Sequence, residues 1–179
     1  RDGCIPPGGV EGPFVSISAG ETVCMGLYAN SDTEHWGRVG GPGQPPAGVI
    51  VGDYVSVSAG EYHTLALKSD GTTVAFGGYD FGGQSPAEGH PGPFRSVGAG
   101  DGFSVGLRMD NTLEAWGRND RGQLDVPAGQ FVAISAGSDH GLAFRPDGEV
   151  VGWGFNAFGQ TATLEGAKQF PLPPAPEPQ

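Results

Sequence analysis

The chain has 179 residues, enough for one domain with a core of its own. Its 20 acidic and 9 basic side chains leave a net charge of −11, a field that repels nucleic-acid phosphates and anionic lipid, so no nucleic-acid partner is expected whereas a basic protein partner is compatible. No run approaches the roughly 20 apolar residues that span a bilayer and no basic-plus-apolar leader is present, so no membrane insertion is expected.

In chain order, the first stretch is "RDGCIPPGGVEGPF", which carries Cys4. The other cysteine is Cys24. Two cysteines are too few for a disulfide framework, and the sequence leaves open a Cys4–Cys24 bridge or two buried thiols. Next comes "FVSIS", an alternating, β-branched segment that reads as a strand and ends on Ala19-Gly20. The same phrase returns as "YVSVS", "FRSVG" and "FVAIS", ahead of Ala59-Gly60, Ala99-Gly100 and Ala136-Gly137, at spacings of 40, 40 and 37 residues. A second strand follows each: "TVCMGLY", "YHTLALK", "GFSVGLR" and "DHGLAFR". In it Gly26, Ala66, Gly106 and Ala143 share one position, which must face something close.

Three of the four units then carry a hairpin pair, Asp70-Gly71, Asp110-Asn111 and Asp147-Gly148, residues that supply the positive φ of a tight turn. The first unit has "ANSDTE" instead. A third strand ends on an aromatic followed by glycine, always sixteen residues after the Ala-Gly glycine: Trp36-Gly37, Phe76-Gly77, Trp116-Gly117 and Trp153-Gly154. Length varies downstream, around Gly43-Gln44, Gly83-Gln84, Gly122-Gln123 and Gly159-Gln160, as in loops on a constant scaffold. The 34 glycines and 16 prolines, a proportion typical of disorder when aperiodic, are therefore periodic punctuation. The tail "PLPPAPEPQ" is too rich in proline to form a strand.

Three strands and a short outer one in about 40 residues make a propeller blade, a unit that cannot bury both faces alone. The expected fold is all-β: a segment over 1–13, four blades over about 14–53, 54–93, 94–130 and 131–166, and a Pro-rich tail over 167–179.

The string Ala-Gly-x-x-His-x-x-Ala-Leu, then Asp-Gly, Trp-Gly and Gly-Gln, seen in "AGEYHTLALKSDGTTVAFG" and "AGSDHGLAFRPDGEVVGWGFNAFGQ", resembles the repeat of the RCC1 superfamily of β-propellers. Its short period and linkers such as "LDVPAGQFVAISAG" resemble the bacterial β-lactamase inhibitory protein II-like propellers in particular. The superfamily usually closes seven blades, and four are present here. The first stretch resembles the segment after Gly-Gln in the other units, so it is a candidate strap for a closed four-blade ring. An arc completed by another copy, an arc completed by another protein, or part of a longer chain are the alternatives.

Candidate chemistry is sparse. Gly102-Phe103-Ser104-Val105-Gly106 matches a nucleophile-elbow string, but its repeat alignment puts Ser104 inside a strand rather than at a strand–helix turn. His35, His63, His90 and His140 lack metal-ligand spacing, and neither a metal nor another cofactor is expected. Residues just after each Ala-Gly are acidic: Glu21, Glu61, Asp101 and, one place later, Asp139. Equivalent positions in a propeller form a ring, so these carboxylates are expected around one channel end. The resemblance adds that Gly-x-x-His loops face the partner, which points to His63 and Asp139-His140. A second candidate surface is the loop after each aromatic-Gly, with Tyr79, Phe81, Phe155 and Phe158 as potential interface anchors. The expected function is non-enzymatic binding of another protein through a ring face, in a secreted or cell-surface setting. A subunit assembled through blade edges is the alternative, followed by nucleotide-exchange-type regulation.

Overall fold

The computed structural model describes residues 13–38, 48–77 and 89–162. The expected strap, apart from Pro13, and the Pro-rich tail lie outside them. Among the described residues thirteen strands form four antiparallel sheets, and no helix occurs. The first sheet has β1 (Phe14–Ala19), β2 (Val23–Tyr28), β3 (Thr33–Gly37) and β4 (Gly48–Ile50), side by side in that order. The second has β5 (Tyr54–Ala59), β6 (Thr64–Lys68) and β7 (Thr73–Phe76); the third β8 (Phe94–Ala99), β9 (Phe103–Arg108) and β10 (Leu113–Gly117); the fourth β11 (Ala133–Ala136), β12 (His140–Phe144) and β13 (Val150–Gly154).

The hairpin joining the second and third strands is one design used four times. A residue at positive φ, Gly71 (84°), Asn111 (69°) or Gly148 (88°), closes the turn, and only the second member of each expected pair adopts it. The first member instead accepts a hydrogen bond two residues on: Asp70 from the Thr72 amide (2.8 Å), Asp110 from Thr112 (3.0 Å) and Asp147 from Glu149 (3.0 Å). The first unit, without the pair, reaches the same turn with Ser31 at φ 70° and Asn30 accepting from the Asp32 amide at 3.2 Å.

The expected outer strand appears in the first sheet as β4, and is absent from the third. There the chain after β10 runs as turns, and Leu124 and Val126 pack on the core without joining the sheet. Pro127, which has no amide hydrogen, interrupts this segment.

Sheets pack in sequence. Met25 and Leu27 of β2 meet Tyr54, Val57, Val74 and Phe76 of the second blade. Leu65 and Leu67 of β6 meet Phe94, Val97 and Trp116 of the third, and Val105 and Leu107 of β9 meet Phe131, Ile134 and Trp153 of the fourth. The aromatic that ends the third strand of the second, third and fourth blades thus packs against the preceding blade. In the first and third blades the shared small position is explained within the blade: the ring of Phe14 lies where a Cβ on Gly26 would stand (2.3 Å), and that of Phe94 likewise on Gly106 (2.4 Å). No hydrophobic cluster joins the first sheet to the fourth among the described residues.

Innermost, the strands β1, β5, β8 and β11 approach backbone to backbone. A Cβ on Gly20 would fall 1.9 Å from the Gly60 carbonyl oxygen, one on Gly60 2.0 Å from that of Gly100, and one on Gly100 2.7 Å from that of Gly137. Alongside, the Ala59 amide donates to the Ser18 hydroxyl (2.9 Å) and the Ala99 amide to Ser58 (3.0 Å). Gly60→Ala is expected to cost about 2–3 kcal/mol, the overpacking range for a site with backbone on the far side. Ser58→Ala is expected to cost about 1 kcal/mol. Denaturant unfolding of the two variants checks the order.

Candidate functional site

Strand register decides which loops share an end. At the start of the second strand of the first, third and fourth blades Val23 pairs with Gly37, Phe103 with Gly117 and His140 with Gly154, and in the second blade Thr64 pairs with Phe76. The loop after Ala-Gly therefore lies beside the loop after aromatic-Gly. Backbone bonds tie them: the amides of Arg38, Arg118 and Phe155 donate to the carbonyls of Thr22 (2.8 Å), Gly102 (2.8 Å) and Asp139 (2.9 Å). The two candidate surfaces read from sequence are one rim, with the Asp-Gly hairpins at the opposite end.

On the inner part of this rim Glu21, Glu61 and Asp101 come together. Glu61 hydrogen-bonds with Asp101, Glu21 and Tyr62. Burial, then the hydrogen bond and negative charge of Glu61 and the charge of Asp139, push the Asp101 carboxyl up to about 7. Burial alone would raise Glu61, but its hydrogen bonds to Tyr62, Asp101 and Glu21 outweigh it and hold the group below the usual carboxylate range. Near neutral pH one proton therefore resides on Asp101 and serves its neighbour. The Tyr62 hydroxyl is raised, first by its hydrogen bond to Glu61 and then by that carboxylate's charge.

Asp139 joins this row electrostatically but is held from the preceding blade. The Gln123 amide donates to it at 3.1 Å, Arg121 stands 3.4 Å away and Arg118 3.9 Å. Gln123 is buried; its side-chain oxygen accepts from the Arg121 amide (2.8 Å) and its carbonyl accepts from the Trp153 indole (2.9 Å). The recurring Gly-Gln is thus a loop anchor. Gln160 repeats it, accepting from the Phe158 amide at 2.8 Å, and Asn119 and Asn156 close the two loops alike. At their tips stand Arg121 and Phe158. The Arg121 guanidinium lies 4.5 Å from the centre of the Phe155 ring, which also meets Phe158 edge-on at 6.0 Å. Phe158 is almost fully exposed. Tyr79 and Phe81 lie outside the described residues.

The histidines are dispersed. His63 is buried and hydrogen-bonds Ser104 of the next blade at 2.8 Å, and burial lowers its pKa to about 4. His35 does the same with Thr64 at 3.0 Å, also at about 4 through burial. His140 lays its ring over Gly137, and His90 stacks on Trp116 at 4.3 Å. No group of three His, Cys, Asp or Glu residues fit to hold a metal ion occurs among the described residues. Ser104 lies buried within β9. Cys24 is buried on β2, and Cys4 lies outside the described residues. Sequence reading missed Tyr62, Arg118, Arg121 and the role of Gln123. The recurrence of Gly-Gln was a signal for the last; the others occupy positions that differ among the units.

A family model described as the regulator of chromosome condensation (RCC1) repeat matches residues 54–82, 94–123 and 131–160. No curated protein sequence matches the chain. Among solved structures, it is similar to the ectodomain of the Physcomitrella patens receptor kinase CR4, at 26% identity and a TM-score of 0.68, over 80% of this chain and 41% of that one. It is similar to yeast RCC1 (Prp20) bound to Kap60, at 20% identity and 0.69, over 84% of this chain and 45% of that one. The ectodomain of the Arabidopsis thaliana receptor kinase ACR4 matches at 22% and 0.66, over 83% and 55%. The chain thus spans about half the length, or less, of these propellers. The finer likeness to the inhibitory propellers rests on sequence alone. No helix among the described residues is long and apolar enough to cross a membrane.

A raised carboxyl keeps its proton in the folded chain where the unfolded chain has lost it, so Asp101 makes stability fall as pH rises from about 4 to about 7. The stability difference between Asp101→Asn and wild type is expected to grow in the variant's favour across that window and level off above it. Melting temperatures from pH 4 to 8 check this.

Proposed function

The chain belongs to the RCC1-repeat superfamily of β-propellers, and from that premise we propose that it is a non-enzymatic interaction module, secreted or exposed at a cell surface, that binds a basic segment of a partner protein on the rim. The observation that carries this reading is the convergence of Glu21, Glu61 and Asp101 beside Tyr62 on the end that also bears the aromatic-Gly loops. A guanidinium or ammonium group placed there relieves the repulsion among the carboxylates, displaces the Asp101 proton and stacks on the Tyr62 ring. Phe155 and Phe158 border the rim at its fourth-blade end. The similar structures support partner binding as the class of function: one is yeast RCC1 bound to Kap60, and another is Prp20p from Saccharomyces cerevisiae, which has binding properties to Gsp1p and histones. The receptor ectodomains support the extracellular setting.

The test uses a fluorescent peptide alternating arginine and tyrosine as probe. Glu21→Gln with Glu61→Gln is expected to weaken its binding about tenfold, and raising salt from low to physiological strength to weaken wild-type binding further. Asp70→Asn with Asp110→Asn, at the opposite end, is expected to leave affinity unchanged. Equal losses for both pairs would reduce the interaction to bulk charge, and no loss for the rim pair would overturn the proposal.

A further inference from the structure

Among the described residues two of the three blade joints contain a buried histidine, and each histidine meets the same place on the next blade. Thr64 and Ser104 are equivalent, each the fourth residue after an Ala-Gly glycine, and both are buried. His35, on β3 of the first blade, hydrogen-bonds the Thr64 hydroxyl through Nε2 at 3.0 Å; His63, just ahead of β6 in the second blade, bonds Ser104 through Nε2 at 2.8 Å. The third joint lacks this pairing. Phe103 and Ala115 hold the places of His63 and His35 there, and Gly141, beneath the Trp153 ring, holds that of the hydroxyls.

The arrangement suits neutral rings. The Thr64 hydroxyl donates to the Phe76 carbonyl at 3.4 Å, so it accepts from His35, whose proton is then on Nε2. Nδ1 of both rings is buried with no hydrogen-bond partner among the described residues. A proton added at Nδ1 would thus be an N–H that nothing accepts, on a charge taken out of water. The titratable groups on the segments around His35 are Cys24 and Tyr28 of β2, Tyr54 of β5 and Lys68 of β6, with Glu34 beside it bonded to Tyr28. Those around His63 are Glu21, Glu61, Tyr62 and Asp101 of the rim, with Arg118 and, at the far end of β9, Arg108. None of them offsets the loss of water: burial alone lowers both rings from 6.5 to about 4.

We propose that His35 and His63 make their two joints acid-sensitive, so that on acidification the first blade loosens from the second while the fourth stays packed on the third. A base held below its free pKa contributes stability that is whole above about 6.5 and is lost as the pH falls toward about 4. Over that window each histidine shifts the opening equilibrium of its joint about a hundredfold. At the second joint Asp101 acts in the opposite sense, because its raised carboxyl and its bond to Glu61 favour the closed state in acid. His63 is offset there, and the net response falls on the first joint. Glu21 and Glu61, hydrogen-bonded across that joint, part when it loosens, so the acidic row is divided at the same place.

Amide hydrogen exchange of the full chain, corrected for the intrinsic rate at each pH, tests this on three equivalent bonds, one for each joint. They are the Tyr54 amide on the Ser31 carbonyl (3.0 Å), the Phe94 amide on that of Gly71 (2.8 Å) and the Phe131 amide on that of Asn111 (2.9 Å). In wild type the protection of Tyr54 is expected to fall between pH 7 and pH 4 while that of Phe131 holds. His35→Gln keeps a donor near the Nε2 position and cannot take the proton. Its ratio of protection at pH 4 to protection at pH 7 is expected to exceed that of wild type about a hundredfold at Tyr54 and to match it at Phe131. His63→Gln is expected to do the same at Phe94. Asp101 and Glu61 titrate across these joints too, and their contributions cancel in the comparison with wild type. A ratio equal to that of wild type at either amide overturns the proposal. So does loss of Phe131 protection in step with Tyr54 in wild type, which would be acid unfolding of the whole chain. Where a glutamine variant does not fold, ring-proton NMR of wild type decides. His35 and His63 are expected to stay neutral in the folded chain down to about pH 4, and titration of either near 6.5 overturns the proposal.

Discussion

Successive inner strands meet backbone against backbone at Gly20, Gly60, Gly100 and Gly137, and the rest of the architecture follows from that approach. With the next blade's carbonyl 1.9 to 2.7 Å from where a Cβ would stand, no other residue fits, and the blades converge at this edge as wedges do at their apex. Farther out the wedge opens and needs volume, which Phe76, Trp116 and Trp153 supply against the preceding blade. Small residues inside and aromatics outside are thus two consequences of one geometry. The constant sixteen-residue interval between them measures the path across the inner hairpin.

The same convergence governs the electrostatics of the rim. Side chains one residue beyond the glycines are carried on backbones that nearly touch, so Glu21, Glu61 and Asp101 share a small space whatever their charge. Separate carboxylates would repel and lose solvent; one proton retained on Asp101 converts part of that repulsion into a hydrogen bond with Glu61. Asp139 is exempt, because the preceding blade supplies Gln123 and two arginines to it. Charge at equivalent positions is therefore answered in two ways along one rim: from within by a neighbouring loop, or by a shared proton that a cation can displace.

Period, strand order and the small position on the second strand were legible in the sequence, because each reflects backbone spacing that repeats in every copy. The Asp-Gly pairs announced hairpins, yet which member took positive φ depended on hydrogen bonding by the other, and Ser31 with Asn30 built the same turn without the signal. A short outer strand was expected in each blade, where the structure shows turns after the Gly-Gln of the third; Leu124 and Val126 are half-buried there without ladder bonds, which an apolar pattern alone does not separate from a strand. The carboxylate row could be placed by equivalence. That Asp139 is held by Arg118 and Arg121 could not, since those arginines lie in the variable loop of another blade, and their reach depends on the packing of two sheets.

Rim and blade faces are not independent surfaces. The row from Glu21 through Asp101 exists because blades one, two and three are neighbours, and it continues to Asp139 because the fourth packs on the third. The acidic row of the rim and the packing of successive blades are thus coupled through the spacing that the inner glycines impose.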